Sequence, residues 1–267
     1  MAKAWDGVIQ APLEGRKTKP REAGLTMVID KGIGLQSVKD LIEMAGDYID
    51  VIKLTFGTSA FYDQNLLRKK NEIITSSHID VMPGGTFLEV AVWQGVLDQY
   101  LKNAKELGFS ALEISDGTID IDSTTRAETI KKSIEAGFRV ITEVGKKDPQ
   151  EVLPVSLVHQ LINQDMENGA FKVIIEGREA GIGVGIYDQE GKIKEDEVDN
   201  VVAGVKDLTC LIWEAPLKHQ QQALILRFGP NVNLGNISKE EILTLEALRQ
   251  GLRGDTLKKA YQDRKDW

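Results

Sequence analysis

Short apolar runs recur along the chain, each closed by glycine, proline or charge and followed by a longer stretch with apolar positions every three to four residues. The short runs predict strands at 25–30, 48–54, 79–82, 111–115, 139–144, 171–176, 208–213 and 232–234. The longer stretches predict helices near 35–45, 65–76, 88–107, 125–136, 155–167, 195–205 and 218–228. A last helix is expected to open at Ser238-Lys-Glu-Glu241, which has the spacing of a capping box. The strand runs are apolar nearly throughout rather than alternating, as parallel strands covered on both faces should be.

Strict alternation of strand and helix implies a parallel sheet with right-handed crossovers. Eight such units in 267 residues fit an α/β fold of one kind, a single (β/α)8 TIM-type barrel. No Pro/Ser-rich linker divides the chain, so residues 1–267 are expected to be one domain. Residues 1–24 form an irregular lead-in rich in Gly, Pro and charge, and 252–267 a charged C-terminal extension, either a frayed tail or a docking helix.

Charge and composition narrow the function. The net charge is -8, from 41 acids against 33 bases, which argues against a nucleic-acid partner because such binding wants a basic face. No run approaches the ~20 apolar residues of a membrane span, and the N-terminus lacks an apolar signal core, so the expected location is cytoplasmic, with no membrane partner. The one cysteine, Cys210, excludes an internal disulfide and reads as a buried thiol. Neither a Walker A motif nor a GxSxG elbow is present, and Gly181-Ile-Gly-Val-Gly185 lies after the wrong strand for a dinucleotide site and reads as a mobile loop.

The candidate chemistry lies at strand ends. Glu113, Glu143, Glu176 and Glu214 close strands four to seven, and a barrel gathers those ends at one mouth. Four buried acids in one place repel unless a metal or bases balance them, and oxygen ligands of this kind suit Mg²⁺. Lys53 sits inside strand two, where an unpaired charge would be costly, so it serves either the mouth or a structural ion pair. Side-chain alternation puts Glu143, Gly145 and Lys147 on one side and turns Lys146 the other way. Arg178 follows strand six, Thr86 follows strand three, and Gly235-Asn236 lead toward the expected capped helix, whose N–H groups would favour phosphate. Glycines 84, 85, 117, 145, 177, 229 and 235 are all expected on the same side of the barrel, and of the histidines, His78 and His219 nearer the mouth than His159.

Taken in order, Ile52-Lys-Leu-Thr-Phe-Gly-Thr-Ser59, Pro83-Gly-Gly-Thr86, Glu113-Ile-Ser-Asp-Gly117, Thr142-Glu-Val-Gly-Lys-Lys147, Ile174-Ile-Glu-Gly-Arg-Glu-Ala-Gly181, Glu214-Ala-Pro216 and Leu248-Arg-Gln-Gly-Leu-Arg-Gly-Asp255 make the chain resemble the phosphosulfolactate synthase family, as a bacterial member. The resemblance covers nearly the whole chain. It implies a carbon–sulfur lyase that adds sulfite to phosphoenolpyruvate with Mg²⁺, giving phosphosulfolactate on the way to coenzyme M in methanogens or to sulfolactate in bacteria. It also implies a homo-oligomer, a trimer by the family's pattern. By resemblance, Lys147 donates the proton, with Lys53 and Glu143 beside it as catalytic residues. Arg178, Thr86, Gly235, Asn236 and Lys146 are expected to hold the small anionic substrates, and Glu113, Glu143, Glu176 and Glu214 to form the metal site and its surroundings. Two other readings stand beside it: a Schiff-base aldolase-type barrel using Lys53 or Lys147, and a non-catalytic stress-associated paralogue on the same scaffold, since plant heat-stress-associated proteins also resemble the family.

Overall fold

In chain order the elements are β1 (Thr26–Asp30), α1 (Leu35–Ala45), β2 (Val51–Leu54), α2 (Gln64–Thr75), β3 (Asp80–Pro83), α3 (Gly85–Trp93), α4 (Leu97–Glu106), β4 (Ala111–Ile114) and α5 (Ser123–Glu135). They continue as β5 (Arg139–Val144), α6 (Val155–Glu167), β6 (Lys172–Ile175), α7 (Glu195–Ala203), β7 (Leu211–Glu214), α8 (Lys218–Phe228), β8 (Asn233–Ile237), α9 (Ile242–Arg249) and α10 (Gly254–Asp263). This is a computed structural model that describes residues 3–263, so the first two residues of the lead-in and the last four of the tail lie outside the described residues.

All strand pairs are parallel, in the order β3-β2-β1-β8-β7-β6-β5-β4. The two edges meet where Ser110 N donates to the Val81 carbonyl at 3.1 Å and Ser110 Oγ accepts from Val81 N at 3.0 Å, which all but closes the ring. The result is a (β/α)8 TIM barrel. Alternation along the strands sorts the core into two parts. Val28, Ile52, Leu112, Val173, Leu211 and Leu234 face the surrounding helices. Met27, Val51, Met82, Ala111, Ile141, Ile174 and Ile212 fill the barrel axis, with Phe171 packed against them. That inner plug forms the floor beneath the mouth.

Several expected boundaries move, for local reasons. The predicted helix over 88–107 is two helices, α3 and α4, because Gly95 adopts φ 67° between them. Strand seven starts later than its apolar run, since Leu208–Cys210 coil into a 3₁₀ turn capped by the Asp207 carboxylate, which accepts from Thr209 N at 2.9 Å. Strand eight extends beyond the short run at 232–234, so Gly235 and Asn236 lie in β8 and not in a loop after it. Ser238 caps nothing: α9 begins only at Ile242, without a side-chain cap, and the Ser238 hydroxyl bonds to Glu240 instead. Gly229, expected at the mouth, ends α8 at the opposite face. His78 likewise precedes β3, at the far end of the barrel from the mouth. Of the charged extension, α10 docks with Thr256 and Ala260 buried and Asp255 paired to Lys218 at 2.8 Å. No helix among the described residues is long and apolar enough to cross a membrane.

Candidate active site

Two residues beyond each inner plug residue, the same face of the strand reaches the mouth. Ala111 is thus followed by Glu113, Ile141 by Glu143, Ile174 by Glu176, Ile212 by Glu214 and Val51 by Lys53. All five charged side chains line one cavity of about 420 Å³, together with Lys147, Arg178, Glu179, Thr86, Asn236, Ile29, Thr55, Phe56 and Phe87. This is the C-terminal rim, where (β/α)8 enzymes carry their chemistry.

Two lysines divide the acids. Lys53 Nζ lies 2.7 Å from Glu113, 3.3 Å from Glu214 and 3.6 Å from Glu143. Lys147 Nζ bonds to Glu143 and, at 2.6 Å, to Glu176. Backbone donors complete the shell: Gly177 N gives to Glu214 at 3.0 Å and Arg178 N to Glu176 at 2.7 Å. All four glutamates are at most 3% exposed, and Lys53 is buried with them.

Burial and charge pull these groups apart. Burial pushes the Glu113 carboxyl up to about 8, despite Lys53 beside it. Glu176 is raised well above the usual carboxylate range by burial and then by its neighbours Glu143 and Glu214. Burial also opposes ionisation of Glu143, but the ammoniums of Lys147 and Lys53 outweigh it and hold that carboxyl far below its ordinary value. Both lysines lose hydration on burial, yet the carboxylates around them raise their pKa strongly.

Fully ionised, four carboxylates against two ammoniums leave a formal excess of two negative charges. Glu143, Glu176 and Glu214 each offer an oxygen, and these lie within 4.8 Å of one another. An all-oxygen donor set with a surplus of two charges fits a divalent hard cation such as Mg²⁺. Glu113 is not in that trio; it leans on Lys53.

The remaining expected residues divide. Arg178, Thr86 and Asn236 line the cavity. Arg178 holds φ 58° and its guanidinium donates to the Lys147 carbonyl at 3.1 Å, while Asn236 Nδ2 donates to the Arg178 carbonyl at 3.1 Å. Lys146 and Gly235, expected among the substrate ligands, are not in the lining. Lys146 turns away, as its parity requires, and bonds to the Asp116 carbonyl at 2.9 Å and to Asp120 at 2.8 Å. Gly235 is a packing residue: a Cβ there would come within 2.6 Å of Met27 Cε. The glycine-rich segment after β6 is not a loose flap either. Its Val184, Ile186 and Tyr187 are buried, and the Tyr187 hydroxyl donates to the Glu214 carbonyl at 2.5 Å. His219 contacts that segment through the Gly191 carbonyl at 2.8 Å. Ile29, Thr55, Phe56 and Phe87 also line the cavity without having been expected as site residues; Thr55 and Phe56 directly follow Leu54 at the end of β2, and that position is the signal for them.

Most of the chain is similar to known proteins. The family model for (2R)-phospho-3-sulfolactate synthase matches residues 14–255. A phosphosulfolactate synthase from Methanocaldococcus jannaschii is 47% identical over 240 residues, covering 89% of this chain and 95% of that protein. One from Bacillus subtilis is 39% identical over 243 residues, covering 90% and 95%. Among solved structures, Leishmania donovani OMP decarboxylase superposes with a TM-score of 0.57 at 11% identity, covering 90% of this chain and 95% of that one, which is a likeness of fold.

Proposed function

This chain belongs to the phosphosulfolactate synthase family of enzymes, and from that premise we propose that its acid-lined mouth is the centre at which sulfite adds to phosphoenolpyruvate. The observation that carries the reading is the convergence of Glu143, Glu176 and Glu214 beside the Lys147 ammonium.

In the reaction, the sulfur lone pair of sulfite forms a bond to the methylene carbon of the enol phosphate. The carbon–carbon π pair moves toward the substrate carboxylate, and a proton is then delivered to the carbon that bears phosphate. No atom of the substrate leaves. Glu143, Glu176 and Glu214 would hold Mg²⁺, which when bound supplies Lewis-acid withdrawal of charge from the substrate carboxylate. Exposure separates the two lysines. The Lys147 side chain is 28% exposed and faces the opening, whereas that of Lys53 is 8% exposed among three acids. Lys147 therefore suits proton delivery from Nζ, with Glu143 and Glu176 orienting it. Lys53 suits a fixed positive charge that keeps Glu113 and Glu214 in place and attracts substrate anions. Arg178, Thr86 and Asn236, on the rim, are placed to bind phosphate, carboxylate or sulfite oxygens.

An aldolase-type Schiff base fits less well. Such a lysine needs a depressed pKa, and the carboxylates here push both lysines the other way. A non-catalytic paralogue would have little reason to retain five buried charges and a half-buried sixth at one point. We also read the protein as a cytoplasmic homo-oligomer, a trimer included. Phe61 and Trp93, 89% and 75% exposed, are apolar positions that such an interface could cover.

The test is direct. Purified protein with phosphoenolpyruvate, sulfite and Mg²⁺ should give a new phosphate ester by phosphorus NMR, and chelator should stop it. No product with any divalent metal would overturn the reading.

A further inference from the structure

Among the buried acids outside the ion cluster is Glu89. Glu89 stands in the apolar run Phe87-Leu-Glu-Val-Ala-Val-Trp93 of α3 and is 1% exposed. A carboxylate in that position is costly unless donors surround it. Its Oε1 accepts from Ser115 Oγ at 2.8 Å, and its Oε2 accepts from Thr118 N at 3.0 Å and Ile119 N at 2.9 Å. All three donors belong to the end of β4 or the turn after it. Glu89 thereby fastens the β4–α5 connection to α3.

That connection is also what Lys147 rests on. The Gly117 amide donates to Ser115 Oγ at 3.1 Å, and the Gly117 carbonyl accepts from Lys147 N at 3.0 Å. Contact extends to the side chain: a Cβ on Gly117 would lie 3.1 Å from Lys147 Nζ and 3.2 Å from its Cγ. The far side of the connection is held by Lys146 on the Asp116 carbonyl and by Arg126 on the Asp116 carboxylate at 3.0 Å. The same Arg126 donates to the Glu143 carbonyl at 3.0 Å. The backbone that carries Lys147 is thus gripped through a short chain of hydrogen bonds, and Glu89 is the buried end of that chain.

We propose that Glu89 is a positioning residue for Lys147: by pinning the β4–α5 connection it fixes where the lysine Nζ meets the substrate. The proposal rests on Lys147 as proton donor. A displacement of about 1 Å at a reacting group costs on the order of a hundredfold in rate. The bonding pattern sets apart hydrogen bonding from charge. A glutamine can accept both backbone N–H groups through its carbonyl oxygen and donate its amide to Ser115 Oγ, which has a lone pair to spare. Alanine can do neither.

Steady-state kinetics of Glu89→Ala, Glu89→Gln and Gly117→Ala test this. Glu89→Ala should lose about a hundredfold in kcat with the KM for phosphoenolpyruvate within about threefold, since no substrate contact is removed. Glu89→Gln should stay within about fivefold of the parent kcat. Gly117→Ala, which crowds Lys147 and the Gly145 carbonyl from the buried turn after β4 without touching α3, should repeat the kcat loss even if Glu89→Ala does not fold. Parent-like kcat in Glu89→Ala or Gly117→Ala, or equal damage from Gln and Ala at 89, overturns the positioning role. Absence of turnover by the parent protein would instead overturn the functional reading beneath it.

Discussion

Removal of the Lys53 ammonium is the most informative perturbation of the ion cluster. Lys53→Met keeps most of the aliphatic stem and deletes a charge with carboxylate oxygens at 2.7, 3.3 and 3.6 Å. Four acids then face Lys147 alone. Breaking a buried ion pair by removing one partner costs about 3–5 kcal/mol. For a chain of this size each kcal/mol moves Tm by roughly 2–4 °C, so a loss of about 10 °C is expected in chelator. Part of it should return with Mg²⁺. A cation at a hundred times its Kd stabilises by about 2.7 kcal/mol, and the variant, with one more uncompensated negative charge, should gain more than the parent at equal free Mg²⁺. The sign with pH also follows. Glu113 stands at about 8 in the parent and higher without Lys53. Between those values only the variant still binds the proton, so its deficit should widen as pH rises past about 8. Thermal unfolding followed by circular dichroism, with and without Mg²⁺ at pH 6.5 and 9, measures all three effects. A Tm in chelator within about 2 °C of the parent would refute the cluster's electrostatics.

Lys147→Met should abolish turnover, at least a thousandfold in kcat, while phosphoenolpyruvate binding seen by calorimetry survives within an order of magnitude. Mg²⁺ affinity should increase as pH rises above the usual carboxylate range, because the ion must displace a proton from Glu176, held well above that range; titrations in two buffers of different ionisation heat should show net proton release, and a pH-independent affinity would contradict it. Arg249→Met should destabilise the fold by about 3 kcal/mol or more, since its buried guanidinium donates to the Pro230, Val232 and Leu25 carbonyls, which would be left without it; chemical denaturation gives the number.

The barrel was legible because parallel strands covered on both faces must be apolar throughout, and an acid at the end of such a run stands out. The four glutamates and Lys53 were visible for that reason. The parity of side chains gave Lys147 and turned Lys146 away, and Lys146 is indeed bonded to the neighbouring loop. Legibility failed where local pattern is silent about partners. Gly235 reads as a loop glycine until Met27 is seen lying where its side chain would be. The Ser238 capping spacing is present, but its hydroxyl finds Glu240 first. Glu89 is hidden for the opposite reason: one acid in an apolar helix suggests nothing until the Ser115, Thr118 and Ile119 donors converge on it. Gly95 could have divided the third helical stretch, yet a lone glycine within a periodic pattern is often tolerated.

The charges are unevenly distributed around the rim. Strands β4 to β7 and the segments after them supply every glutamate of the cavity, while β1, β2, β3 and β8 or the turns directly after them present Ile29, Thr55, Gly84 and Asn236, with Lys53 as the charged exception. Acids and shape-defining residues therefore occupy separate semicircles, with Lys53 reaching across from β2 to bind the acids. Remodelling Phe56, Thr86 or Phe87 could redirect which nucleophile or acceptor is admitted without disturbing a single ion pair, so new selectivity is open to this scaffold through mutations that leave its electrostatic engine alone.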